Sequence, residues 1–365
     1  MSRSVQALHV RGVVLPDGAT RDVFIAQGRI TFVPQADAVT IRDGGYLVPG
    51  LVDAHAHLSL ASPAGDDAPA AERVRASALA QLSAGVLAVR EPGSPDYESL
   101  HAGTDAGLPR LVTAGRFLAR PGGYFPGLAR EVTPAELPEA AAREAIASGA
   151  WAKVIADFPA VSGRIEPTFP AGALAEAAAL VHDLGRRITA HATCQEAIEA
   201  CLDAGFDAIE HGTLARPDHL AAMAQRGVCL IPTLIISDGI LGAVSSLGWD
   251  QAAVAGLRAE LAEQPGRVRW AAEHGVTVLA GTDAGMGPHG TVAKEITLLL
   301  AAGLPPELAL GAGSWTARRY LELPGIEEGA PADLVGYADD PRQDAAALSR
   351  PVLIVLNGTV VQPTV

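Results

Sequence analysis

The chain has 365 residues, 49% hydrophobic, 19% charged and only 4% aromatic, so it can bury a large aliphatic core and is not intrinsically disordered. Its 41 acidic against 27 basic side chains give a formal net charge of −14, which excludes the basic footprint of a nucleic-acid or anionic-membrane binder. No apolar run approaches the ~18 uninterrupted residues of a membrane helix, and the opening residues show no signal-peptide core, so the protein reads as cytoplasmic.

Residues 5–49 read as short strands, with turns at Pro16-Asp17-Gly18, Gln27-Gly28-Arg29 and Asp43-Gly44-Gly45. A strand over Leu47–His57 follows, and then a repeated unit. An alanine-rich helix stops at a glycine, and a short apolar strand closes on a polar residue. The stops are Gly85, Gly149, Gly185, Gly205, Gly227 and Gly275. The strands end at Arg90, Lys153 and beyond, His191, His211, Thr233 and Asp283. With Arg110–Ala114 the count is eight, which predicts an α/β fold, a (β/α)8 TIM barrel. The long Gly- and Pro-rich stretches 58–71, 116–134, 157–172 and 234–249 follow strands, where a barrel carries its site. Strand-like texture returns in 331–365, with a hairpin turn at Asn357-Gly358. The two ends together predict a small β-sandwich domain from 1–49 and 323–365, with the barrel over 50–322. Cys194, Cys201 and Cys229 form no CxxC pair and read as small core residues.

In Val48-Pro-Gly-Leu-Val-Asp53-Ala-His55-Ala-His57, strand alternation puts Asp53, His55 and His57 on one face. His191 and His211 close strands of their own at the same depth. Four of the ten histidines therefore converge on one barrel mouth, where neutral imidazoles suit a zinc-like ion. Asp283 either makes a turn before the next glycine or binds metal and moves a proton of its water. Lys153 lies in an apolar strand, inward-facing on alternation. Its ammonium either snorkels to the rim or pairs with an acid, or its amine has reacted with CO2. The resulting carbamate could bridge two cations.

The set His55, His57, Lys153, His191, His211 and Asp283 resembles the amidohydrolase superfamily, in its binuclear branch with a carboxylated lysine. Ala330-Pro-Ala-Asp-Leu-Val, Gly149-Ala-Trp-Ala-Lys-Val, Ile209-Glu-His-Gly-Thr and Gly281-Thr-Asp-Ala-Gly are similar to its imidazolonepropionase-like and prolidase-like members. Two stretches depart from the prolidase-like pattern. Gly122-Gly123-Tyr124 stands where those members carry Gly-Gly-His, and Lys153-Val-Ile-Ala-Asp157-Phe-Pro where they carry Lys-x-x-x-Ser-Gly-Gly.

The resemblance implies two divalent ions, zinc first among candidates. His55, His57 and Asp283 would hold the buried one, His191 and His211 the exposed one, with carboxylated Lys153 and a hydroxide bridging. Asp283 would carry the proton to the departing nitrogen of a small-molecule amide such as a dipeptide or N-acyl amino acid. Charge arithmetic favours the carbamate: two such ions against Asp283 and hydroxide leave about +2, which an ammonium would worsen. Arg90, Arg120, Tyr124 and His289 are the expected substrate contacts, with Arg116 and Arg130 nearby. Such an arginine cluster suits a substrate carboxylate, although each could equally pair with Glu91, Asp96 or Glu131. A mononuclear cyclic-amide hydrolase or heterocycle deaminase is the rival reading, a non-catalytic scaffold the third. A homo-oligomer is compatible with all three.

Overall fold

The computed structural model describes residues 6–362, so Val5, where the strand reading begins, lies outside the described residues. Strands from both ends of the chain share one sheet of seven. Its order is Thr359–Gln362, Leu353–Leu356, Leu334–Tyr337, Val39–Pro49, Leu8–Val14, Ala19–Ala26, Arg29–Thr31. Val39–Pro49 joins the two ends, parallel to Leu8–Val14 on one side and antiparallel to Leu334–Tyr337 on the other. That long central strand is why the described strands make a single sheet where two facing sheets were expected. Val10, Val23, Ile25, Leu47, Leu334 and Val355 form its core.

The central part alternates parallel strands with helices. Leu51–Asp53, Val86–Glu91 and Arg110–Thr113 pair in that order. Phe117–Ala119, Trp151–Ile155, Arg187–Ala192, Ala208–His211 and Cys229–Ile231 form a second parallel set. The third expected strand forms as Arg110–Thr113, and Phe117–Ala119 is a further short strand within the stretch 116–134 that was expected to be a loop. Arg110–Thr113 pairs with Val86–Glu91 and Phe117–Ala119 with Trp151–Ile155, and a parallel bridge links Ser94, beyond Val86–Glu91, to Arg116. The eighth is a looser run over 277–284. Leu279 N donates to Leu230 O (3.0 Å) and Ala54 N to Ala280 O (2.9 Å), linking the two sets. Ala312 and Gly313 interrupt that ladder by accepting from Ala280 N and Val52 N.

All six glycines read as helix stops have positive φ. The stretch 234–249, expected as a loop, instead contains the helix Ser237–Ser246. Alanine, valine and leucine fill the space between strands and helices, and Val52, Ala54, Ala88, Ala208 and Leu279 pack with Trp151 inside. The three cysteines are buried and unpaired. No helix among the described residues is long and apolar enough to cross a membrane.

One buried acid ties the outer sheet to the central part. Asp333 Oδ2 accepts from Arg110 Nε (2.7 Å) and Arg318 Nη2 (3.4 Å), and its Oδ1 accepts from Asn357 N (2.8 Å). Removing that carboxylate strands the buried Arg318 guanidinium. Asp333→Ala should therefore cost about 3–5 kcal/mol in a chemical denaturation experiment. A loss within experimental error would show that the tie is not a stabilising one.

Candidate metal centre

Every candidate ligand stands at or near the end of a parallel strand. His55 and His57 follow Leu51–Asp53, Lys153 lies in Trp151–Ile155, and His191 lies in Arg187–Ala192. His211 ends Ala208–His211, and Asp283 follows the run that bonds to Leu230 and Ala54. Regular alternation stops at Asp53 with its strand, so Asp53 does not share the histidine face. Its carboxylate instead accepts from Thr282 Oγ1 (2.6 Å), Gln81 Nε2 (2.9 Å), Thr282 N (3.0 Å) and His55 N (3.2 Å). These bonds clamp the first strand to the segment bearing Asp283. Gly281 permits the approach, since a Cβ there would lie 2.6 Å from His55 Cβ.

His55 Nε2 and His57 Nε2 are 3.2 Å apart, and each is 3.1 Å from Asp283 Oδ1. Ligands on one zinc ion at about 2.0–2.1 Å stand roughly 3.4 Å apart, so the trio fits a single ion. Hydrogen bonding fixes which nitrogens are free. His57 Nδ1 donates to Gly93 O (2.8 Å), and His55 Nδ1 faces Glu210 Oε2 (2.6 Å). Thr233 Oγ1 gives its proton to Pro232 O (2.8 Å) and so accepts from His211 Nδ1 (2.7 Å). The Nε2 lone pairs of His55, His57 and His211 are thereby left for a ligand. In His191 it is Nε2 that faces a carboxylate, Asp157 Oδ1 at 3.4 Å, leaving Nδ1. His191 and His211 ring centres are 4.7 Å apart, and His211 is 5.1 Å from His55.

His211, Thr233 and Asp283 all have positive φ (65°, 47° and 51°). Three strained non-glycine residues at neighbouring strand ends are typical of a site whose side chains must be aimed. Lys153 is 1% exposed, and burial lowers its amine to about 8. Burial also pushes His57 down and, with His191 adding to it, holds His211 well below the usual imidazole range. Burial works upward on Asp283, but His55 and His57 outweigh it and keep the carboxyl well below its ordinary value.

A cavity of about 360 Å³ opens over these groups. His55, His57, Lys153, His191, His211 and Asp283 all line it, as does Tyr124, whose phenol burial keeps protonated. The other expected substrate contacts lie elsewhere. Arg90 is buried, its Nη1 on Glu210 Oε1 (2.9 Å) and its guanidinium 4.3 Å from the Trp151 ring centre. The strand end that suggested a mouth position is closed over by that ion pair. Arg120 is exposed outside the lining, and His289 Nε2 turns to Leu60 O (3.2 Å). Arg130 pairs with buried Glu144 (3.2 Å). Glu210 is the residue that sequence reading passed over. Its only signal is an acid in an otherwise apolar strand, one place before His211.

The amidohydrolase family model matches residues 46–361. Two mycobacterial proteins named as uncharacterized, from Mycobacterium bovis and Mycobacterium tuberculosis, are each 40% identical over 366 residues, covering 99% of this chain and 97% of theirs. Among solved structures, an Xaa-Pro dipeptidase with bound methionine aligns with TM-score 0.81 and 21% identity, over 98% of this chain and 100% of its own. A prolidase complexed with N-methylphosphonate-L-proline gives 0.82 and 22%, over 98% and 100%. Ochratoxinase from A. niger gives 0.82 and 20%, over 98% and 96%. At such identities these structures bear on the fold, an α/β arrangement with a TIM-barrel-like domain. The chain belongs to the amidohydrolase family, a hydrolase acting on carbon–nitrogen bonds.

Proposed function

We propose that the protein is a binuclear metal-dependent amidohydrolase that cleaves the amide bond of a small molecule such as a dipeptide or N-acyl amino acid. The observation that carries this reading is the convergence of His55, His57, Lys153, His191, His211 and Asp283 on one cavity. In this reading His55, His57 and Asp283 would hold one ion and His191 and His211 the other, with carboxylated Lys153 as a further ligand. The barrel spans 50–322, and 1–49 with 323–365 form the second domain.

Divalent ions there, zinc first among candidates, would supply Lewis acidity that lowers the pKa of water and polarises the amide carbonyl. The chain's own groups do the rest. Asp283 takes a proton from the attacking water and delivers it to the departing nitrogen. Tyr124 offers a phenolic donor to the substrate's polar atoms. Glu210 and the Gly93 carbonyl hold the tautomers of His55 and His57. Lys153 supports the carbamate reading, because no hydrogen bond engages its amine among the described residues and burial disfavours the ammonium. The compactness of His55, His57 and Asp283 favours the competing mononuclear reading.

Metal stoichiometry separates the two. Protein from zinc-supplemented medium should hold close to two ions per chain, and chelation should abolish hydrolysis until zinc is restored. Lys153→Met should lose one ion and at least roughly a hundredfold in kcat. One tight ion in the unaltered protein would support the mononuclear reading, and no transition metal at all would sink both.

Glu210→Gln probes the outer support. Because it weakens the partner that orients His55, it should lower zinc affinity about 10–100-fold in a chelator competition, with the fold retained by circular dichroism. Unchanged affinity would remove Glu210 from the metal centre.

A further inference from the structure

Of the 27 cationic side chains, only Lys153 and Lys294 are lysine, and both line the same cavity. Every other cation is an arginine, and no arginine lines that cavity among the described residues. Lys153 is 1% exposed, whereas Lys294 is exposed, so the two mark the cavity's floor and its rim. Lys294 makes no ion pair among the described residues. It is the third residue of the helix Val292–Ala301, where a cation is disfavoured by the helix's own positive end. An ammonium placed against that field, with no ion-pair partner among the described residues, leaves a cation at the mouth of the cavity. Much of the remaining wall is apolar, with Ile235, Ile236, Ile240, Val244, Phe117 and Phe158.

Building on the amidohydrolase reading above, we infer that Lys294 is a specificity-determining residue that pairs with a carboxylate of the substrate. The favoured substrate is then an N-acylated apolar amino acid. Its amide reaches the histidine cluster, its hydrocarbon side chain lies on the isoleucine and phenylalanine wall, and its carboxylate stays at the half-wet rim. A compact ammonium suits that place, where its hydration shell is partly kept. This assigns to Lys294 the anion-binding role for which the loop arginines are misplaced.

The test uses zinc-loaded full-length enzyme and two probes, N-acetyl-phenylalanine and N-acetylphenethylamine, the same skeleton without the carboxylate. Wild type should favour the acid in kcat/KM. Lys294→Met should shrink that preference about fivefold or more, through KM, and Lys294→Arg should restore part of it. Calorimetric titration of both probes gives the same comparison without catalysis. An acid preference unaltered in Lys294→Met, or no binding of N-acetyl-phenylalanine to wild type at millimolar concentration, overturns the inference. Lys294-dependent binding of the acid without hydrolysis of either probe would uphold Lys294 and refute the N-acyl amino acid as the substrate cleaved. Hydrolysis of both probes without preference would do the reverse.

Discussion

Asp283 Oδ1, His55 Nε2 and His57 Nε2 stand 3.1–3.2 Å from one another, an arrangement that opposes folding unless a proton or a metal cation sits among them. Much of the surrounding structure imposes that convergence. Asp53 accepts four hydrogen bonds and thereby staples the first strand to Thr282. Glu210 and Gly93 O each take the Nδ1 side of a ring, so neither imidazole can relieve the crowding by turning over. Arg90 in turn neutralises buried Glu210. A carboxylate so deep in an apolar strand would be costly without that partner.

Legibility followed the range of the interactions. His55, His57, His191, His211, Lys153 and Asp283 could be read because strand ends and period-two alternation are local signals, and glycine stops located the strands. Their supports were not legible in the same way. Glu210 lies 155 positions from His55, and Asp53 meets Thr282 across 229. No local pattern pairs residues so far apart, even where, as at Glu210, an acid in an apolar strand stands out. Asp53 itself was misread because alternation was carried one turn past the point where its strand ends. The outer sheet was misjudged for a similar reason, since strand propensity does not reveal that Val39–Pro49 would serve both ends of the chain.

The arginines show the limits of charge counting. Arg90, Arg120 and Arg130 cluster in sequence near predicted strand ends, yet none reaches the cavity lining. Arg90 pairs with Glu210, 120 positions away, and Arg130 with Glu144, 14 positions on in the next helix, neither of which a local reading considers. A guanidinium with its planar fork is well matched to such buried carboxylates. What the cavity lining holds instead is the rarer cation, and rarity within this arginine-rich chain is itself a sequence signal.

The outer sheet bears on the candidate metal centre through the backbone. Val39–Pro49 runs, with only Gly50 between, into Leu51–Asp53, the strand that delivers His55 and His57. The outer sheet therefore anchors one end of the segment that carries His55 and His57. Gly50 N donates to Asp333 O (3.1 Å) and Arg318 Nη1 reaches Gly50 O (3.4 Å), so the junction is held on both sides. Asp333 connects the same junction to Arg110 at the start of the third strand. Slippage of the sheet by a fraction of an ångström would be transmitted along three extended residues to the histidine pair. A sheet built from both chain ends, pinned by a buried acid, is thus a support for ligand geometry as well as a cover for apolar surface.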